Sequence, residues 1–484
     1  MGELRWYQQD KAHVEAELRA GRRPDLATTT AVGPLDELVA LHDEVGAFAA
    51  VAGLGSTRKR EGIDDVLLVR TLAVLPFVGQ TGFRSLADQL FREPAVLLRL
   101  GWSPVQIRAG DNGRHRHADG RQAESLPCHP DTLRDALARI EASAWLAAQQ
   151  RAVQGLYRRG LVRGGVYAVD GTGLSATRRV VALVCVSAAH PVIVAWRYLD
   201  GAASEKGREA AVTRALVEQA LAAGGAGCIR LLLADGLYAD GSLLAWLKYR
   251  HGIDALVSLP ADRLLYADLQ GLARGQRLAW REHRYLRTVR GHKEPRAVAL
   301  AGMGHFDSWP SFLEAAAEYG ASEARLWACL VWERAPAAQP LEEAGALVST
   351  REWAQPWAAF QAYRGRWRIE DDTFRELKEG WGLERQPWGT QAATIRGQVA
   401  LTVLAFNTAQ LYRTQAGQRL ADKGIRRLRQ LHRRELGAAP VVLYLDGRYG
   451  VFALEEVLAA LGAPARESLR PAPRQPRAAP PSAP

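Results

Sequence analysis

The chain has 484 residues, 48% of them apolar and 24% charged, which allows several domains around a large core and excludes a molecule disordered throughout. Its 63 basic and 52 acidic residues leave a net charge of +11; that surplus favours a polyanionic partner over the plainer reading of a basic housekeeping enzyme. The four cysteines, Cys128, Cys185, Cys228 and Cys329, form no CxxC pair, which excludes a ribbon-type zinc site, argues against a disulfide framework and suits a reducing cytoplasm.

The opening MGELRWYQQDKAHVEAELRAGRRPD is too polar for a signal peptide. Residues 1–160 are expected to be an all-helical N-terminal domain. IDDVLLVRTLAVLPFVGQTGFRSLADQLF has apolar positions at helical spacing, and PDTLRDALARIEASAWLAAQQRAVQGLYRR begins with a Pro-Asp cap. Between them the Gly- and Arg-rich stretch 108–127 is either a phosphate-touching loop or a solvated linker. From 164 the pattern becomes strand-like, in GGVYAVD (164–170), VVALVCVS (180–187) and PVIVAWRYL (191–199). The apolar run 180–199 mimics a membrane span, but its β-branched content and the break at His190-Pro191 favour two buried strands and a turn, and no transmembrane helix is expected.

A helix over 204–224, a strand at 228–235, a helix at 241–252 and a strand at 253–260 follow, so 161–260 is read as the first part of an α/β layer with a mixed sheet and flanking helices. Residues 261–345 are expected as a β-rich insertion. Residues 346–435 return to the α/β layer, with a buried strand at 345–350 and a helix opened by Pro356. A C-terminal helical segment (436–465) and a disordered Pro- and Ala-rich tail (466–484) complete the expected order.

Asp170 ends VYAVD and Asp235 ends IRLLLAD, each followed by glycine. An Asp before Gly is a routine turn residue. Two of them at the carboxyl ends of apolar strands can instead face one crevice. A third acid is sought in YRGRWRIEDDTFRELKEGW, residues 363–381. Stepping 100° per residue from Tyr363 puts Arg366, Glu370, Phe374 and Leu377 at roughly 300°, 340°, 20° and 320°, one buried face. Asp371, Asp372 and Glu376 fall at roughly 80°, 180° and 220°, away from it. Glu370 is therefore the acid that needs a partner or a metal, with a structural pair to Arg366 as the alternative. Three carboxylates suit hard divalent cations.

These residues resemble the DDE transposases of bacterial insertion sequences, in particular the family with a Tyr-Arg-Glu-Lys signature. Tyr363, Arg366 and Glu370 fit Y-x2-R-x3-E; LLADGLY resembles the family's second-acid motif at Asp235, Gly236 and Tyr238, and VYAVDGTGL its first-acid strand. The family usually has six residues between its Glu and Lys, whereas seven separate Glu370 from Lys378; counting back from Lys378 would nominate Asp371. The resemblance implies a ribonuclease-H-like core, interrupted by the β-rich insertion, with Asp170, Asp235 and Glu370 as catalytic metal ligands for two Mg²⁺ ions (Mn²⁺ as a substitute). It also implies that Tyr363, Arg366 and Lys378 bind DNA.

The implied activity is that of a transposase, which binds the terminal inverted repeats of its element as a homodimer on double-stranded DNA. It then cleaves a strand with water and joins the freed 3′-hydroxyl to another phosphodiester. Such a protein would work in the bacterial cytoplasm, on the nucleoid when bound to DNA. In this reading Trp280, Trp309, Trp327 and Trp332 either stack on an unpaired base or pack the core. The basic segment 422–436 either reads a groove or is a solvated helix. A glycosidase using two carboxylates, a stand-alone nuclease and a catalytically inactive, transposase-derived DNA-binding protein are the competing readings, the last of them the serious one.

Overall fold

A computed structural model describes residues 8–29, 34–56, 63–79, 127–201, 209–289, 292–334, 340–384, 388–415, 424–436 and 440–460, with isolated residues between 83 and 106. The polar stretch 108–127, apart from its last residue, and the tail 466–484 lie outside the described residues. Among the described residues the strands run, in chain order, β1 (Gln8–Gln9), β2 (Leu26–Thr29), β3 (Gly165–Ser175), β4 (Arg178–Cys185), β5 (Val192–Asp200), β6 (Ile229–Ala234) and β7 (Asp254–Leu259). They continue with β8 (Arg281–Val289), β9 (His292–Phe306), β10 (Leu326–Arg334), β11 (Glu342–Ser349), β12 (Val441–Leu445) and β13 (Arg448–Phe452).

Residues 38–87 and 130–426 form one compact unit around a nine-stranded sheet of order β5-β4-β3-β6-β7-β11-β10-β9-β8. β3, β6 and β7 are parallel, with β4 antiparallel to both β3 and β5. The apolar run 180–199 is thus two strands joined by a turn, and among the described residues no helix is long and apolar enough to cross a membrane. The insertion is not a separate β-body. β11 pairs with β7 at Ala346 and Leu259, and β10, β9 and β8 extend the same sheet. It also holds two helices, Leu264–Arg274 and Pro310–Glu318, whose buried Leu265, Tyr266, Leu269 and Phe312, Ala316 recur at helical spacing.

The helix Ala392–Gln415 packs along the edge strand β5. Its Asn407 side chain accepts from the Ile193 amide at 2.9 Å and donates to the Ile193 carbonyl at 2.8 Å, which satisfies backbone groups that an open edge would expose. Helices Asp65–Val78, Pro130–Arg139 and Ala142–Arg158 pack against this long helix. The approach is close at Gly397, where a Cβ would stand 2.4 Å from Leu137 Cδ1. The division expected near residue 160 is therefore not where the packing divides: apolar helices on both sides of it share one core.

The second unit comprises 1–37, 88–129 and 427–484. Its four-stranded sheet, β1-β13-β12-β2, draws strands from both ends of the chain around Val14, Leu18, Leu443, Leu445, Phe452 and Val457. This corrects two expectations, the all-helical N-terminal region and the helical segment 436–465. The Asp446-Gly447 pair takes positive φ of 49° and 76° and joins β12 to β13 as a tight hairpin, which alternating apolar residues on either side then stabilise.

Candidate active site

Asp170 does not close its strand, as the sequence suggests. β3 runs on to Ser175, but it pairs with β6 only as far as Ala168 opposite Leu233; beyond that point it stays with β4 alone. The two parallel strands part beside Asp170, and a crevice opens there. Asp170 Oδ1 accepts from the Gly171 amide at 2.7 Å. Asp235 follows β6 and its Oδ1 accepts from the Leu237 amide at 2.9 Å, capping the short turn Gly236–Tyr238. The turn role and a place in the crevice are both real for this residue.

The third-acid segment departs from a regular α-helix. Pro356–Arg364 is α-helical, Gly365 ends it, and Ile369–Phe374 and Glu376–Gly380 are π-helical turns. Their i→i+5 bonds, from the Arg375 amide to the Glu370 carbonyl and from Trp381 to Glu376, take one more residue per turn than an α-helix. That accounts for the extra residue between Glu370 and Lys378. A cavity of about 520 Å³ is lined by Asp170, Asp235, Glu370 and Lys378 together, with Arg179 and Arg375. Asp371 is exposed and paired with Arg375, and Asp372 with Arg368. Glu376 corrects the helical-wheel reading: it is half-buried, its Oε2 accepting from the buried Arg413 Nη1 at 2.9 Å.

Arg366 is only 5% exposed and joins two of the three acids. Its Nη1 donates to Glu370 Oε1 at 2.6 Å and to Asp170 Oδ2 at 3.1 Å. Burial works against its charge, yet Tyr363, Glu370 and Asp170 hold its pKa above the ordinary value. Burial pushes the Asp170 carboxyl up to about 7; the Gly171 amide and Arg366 oppose this, while the nearby charges of Asp235 and Glu370 add to it. Burial likewise raises the Tyr363 phenol.

Among the described residues, no three His, Cys, Asp or Glu side chains already stand as a cage for a metal. The donor chemistry nevertheless fits a divalent cation. Asp170, Asp235 and Glu370 are all oxygen donors, they share one cavity, and the cost of charging Asp170 among them is the cost that a bound cation offsets. Arg366 now stands between two of them.

Tyr363 and Trp367 line a second cavity of about 520 Å³ with Tyr285, Arg287 and Phe360, and Arg375 lines both cavities. Of the tryptophans singled out in the sequence, Trp309 and Trp327 are buried, whereas Trp280 is 39% exposed and packs edge-on against Trp332 at 5.5 Å. Trp367, 41% exposed, was not anticipated, nor were Arg179 and Arg375. Arg375 does lie within the acid-bearing run, but the position of Arg179 follows only from the pairing of β4 with β3.

No curated protein matches the chain. Residues 164–407, just over half of it, match the family described as the transposase DDE domain. The matched span begins just before β3 and takes in Asp170, Asp235, Glu370 and the helix segment through Asn407. On that match, with acids from the middle of β3, the end of β6 and a π-helical turn on one cavity, the chain belongs to the DDE transposase family.

Proposed function

We propose that this transposase binds the terminal inverted repeats of its own element and performs metal-dependent strand cleavage followed by strand transfer, in cut-and-paste transposition. The observation that carries this reading is the convergence of Asp170, Asp235, Glu370 and Lys378 on a single cavity. The strand order β5-β4-β3-β6-β7, with β4 alone reversed, supports a ribonuclease-H-like core.

In this reading Asp170, Asp235 and Glu370 hold two Mg²⁺ ions, which supply Lewis acidity for the attacking oxygen and charge stabilisation for the leaving 3′-oxygen. The protein's own groups do the positioning. Lys378 brings a point charge to a phosphate beside the cut. Tyr363 and Arg366 face the flanking phosphates, a guanidinium fork matching phosphate oxygens. Trp280, the exposed member of the insertion's tryptophans, offers a ring for an unpaired base. End recognition falls to the N-terminal region and the basic helix Ile425–Leu436, and paired ends call for a homodimer on DNA.

The test uses purified wild type, Glu370→Gln and Asp371→Asn with duplexes carrying the sequences that flank the gene, in Mg²⁺ or EDTA. Wild type and Asp371→Asn are expected to cut only with metal, while Glu370→Gln binds without cutting. Loss of cutting in Asp371→Asn rather than Glu370→Gln would reassign the third acid. Binding without cutting by wild type would make the chain an inactive DNA-binding descendant.

A further inference from the structure

Arg366 has a second relation to the site, opposed to phosphate contact. It sits near the junction of the α-helix ending at Arg364 and the π-helical turn at Ile369, buried, with one Nη1 bonded to both Asp170 and Glu370. Its guanidinium carbon lies 5.8 Å from the Tyr363 ring and 4.9 Å from the Trp367 ring, two of the rings that line the neighbouring cavity. Its Nε is buried without a hydrogen-bond partner. The guanidinium thus stands between the acid cavity and the ring-lined one and leaves part of its bonding capacity unused. A cation at that place occupies oxygens that a metal would need, and like charges repel across a few ångströms.

We infer that Arg366 is the resident counter-ion of the acid cluster: it holds Asp170 and Glu370 together in the DNA-free protein and yields them to divalent ions when a DNA phosphate takes the guanidinium. The inference rests on the metal-holding role proposed for the three acids and adds how that role is gated. Two arrangements of one side chain couple two ligands. Phosphate and metal each favour the arrangement in which Arg366 has left the carboxylates, so each tightens the binding of the other by the same factor. In the absence of DNA the acids keep their own cation, so free metal and solvent are not brought together at the site.

The test measures Mn²⁺ binding directly, by electron paramagnetic resonance of the free ion, with and without a duplex carrying the gene's flanking sequence. The full chain is used as wild type, Arg366→Met and Glu370→Gln. Arg366→Met keeps the apolar stem without charge. Arg366→Gln, which still donates a hydrogen bond to a carboxylate, covers the case in which the methionine variant does not fold, and circular dichroism identifies that case. Wild type is expected to bind Mn²⁺ weakly alone and at least tenfold more tightly with the duplex. Arg366→Met or Arg366→Gln should bind Mn²⁺ at least tenfold more tightly than wild type without DNA, and the duplex should add little.

Arg366→Lys, which keeps the charge, should stay near wild type. Neutral Arg366 variants that bind Mn²⁺ no better than wild type, or that keep the full effect of the duplex, would overturn the inference while leaving the acids as metal ligands. If wild type with the duplex binds no Mn²⁺, or Glu370→Gln binds it equally well, the metal-holding reading itself fails, and the gate with it.

Discussion

Replacing Asp170 with asparagine should stabilise the metal-free protein while abolishing its chemistry. The carboxyl is 13% exposed, and burial lifts its pKa from 3.8 to about 7. The folded state therefore holds this proton more tightly than the unfolded chain does. Below about pH 4 both states are protonated and the side chain costs nothing; between pH 4 and 7 the cost grows, and above 7 it is complete. Three pH units at about 1.36 kcal/mol each set a ceiling near 4 kcal/mol. Asparagine also loses part of the bond from Arg366, so a net gain of roughly 1–2 kcal/mol is expected at pH 8, a few degrees in melting temperature.

The assay is differential scanning calorimetry of wild type and Asp170→Asn in EDTA at pH 5, 6.5 and 8. The variant's advantage should be smallest at pH 5 and largest at pH 8, and Mg²⁺ should narrow it by relieving only the wild type. A variant that melts below wild type at pH 8, or by a constant offset at every pH, would refute the argument and make Asp170 an ordinary ion-pair partner of Arg366.

Glu376→Gln removes one half of the partly buried pair with Arg413 and should cost roughly 2–4 kcal/mol, seen as a lower urea midpoint, whereas Asp372→Asn on the exposed side should stay within about 1 kcal/mol. Lys378→Ala should lower the slope of log Kd against log salt by about one unit in anisotropy titrations with a flanking-sequence duplex. An unchanged slope would remove Lys378 from the phosphates. Asn407→Leu deletes both bonds to Ile193 and leaves that backbone unpaired on an edge strand; a loss of about 2–4 kcal/mol and light-scattering aggregates on warming are expected. Equal stability and clarity to wild type would mean that the helix covers β5 by apolar contact alone.

Much of the nine-stranded sheet was legible because its strands are continuous apolar runs ended by Asp-Gly or Gly-rich turns. The face carrying Glu370 could be read from helical spacing, since the five residues from Arg366 to Glu370 precede most of the π-helical segment. Glu376 lies beyond that irregularity, and its partner Arg413 is 37 positions away, so neither its direction nor its burial follows from a regular wheel. The joining of the insertion's strands to the main sheet depends on β11 finding β7, a pairing across more than eighty residues that alternation within either strand does not specify. The hairpin at Asp446-Gly447 was different. The DG pair between alternating apolar residues is a strong local signal, and reading 436–465 as helix passed over it.

The sheet built from both ends of the chain has a consequence for synthesis. β2 is made within the first thirty residues, yet its partner β12 begins at Val441. At about 5–20 residues per second, the ribosome reaches that partner on the order of tens of seconds later. Until then the early strand is an unpaired edge, and its sheet cannot form before β12 has been made. A message cut short between codons 407 and 441 yields a product that holds the whole 164–407 region but never closes this sheet. Completion of the small unit thereby reports that synthesis has passed Phe452.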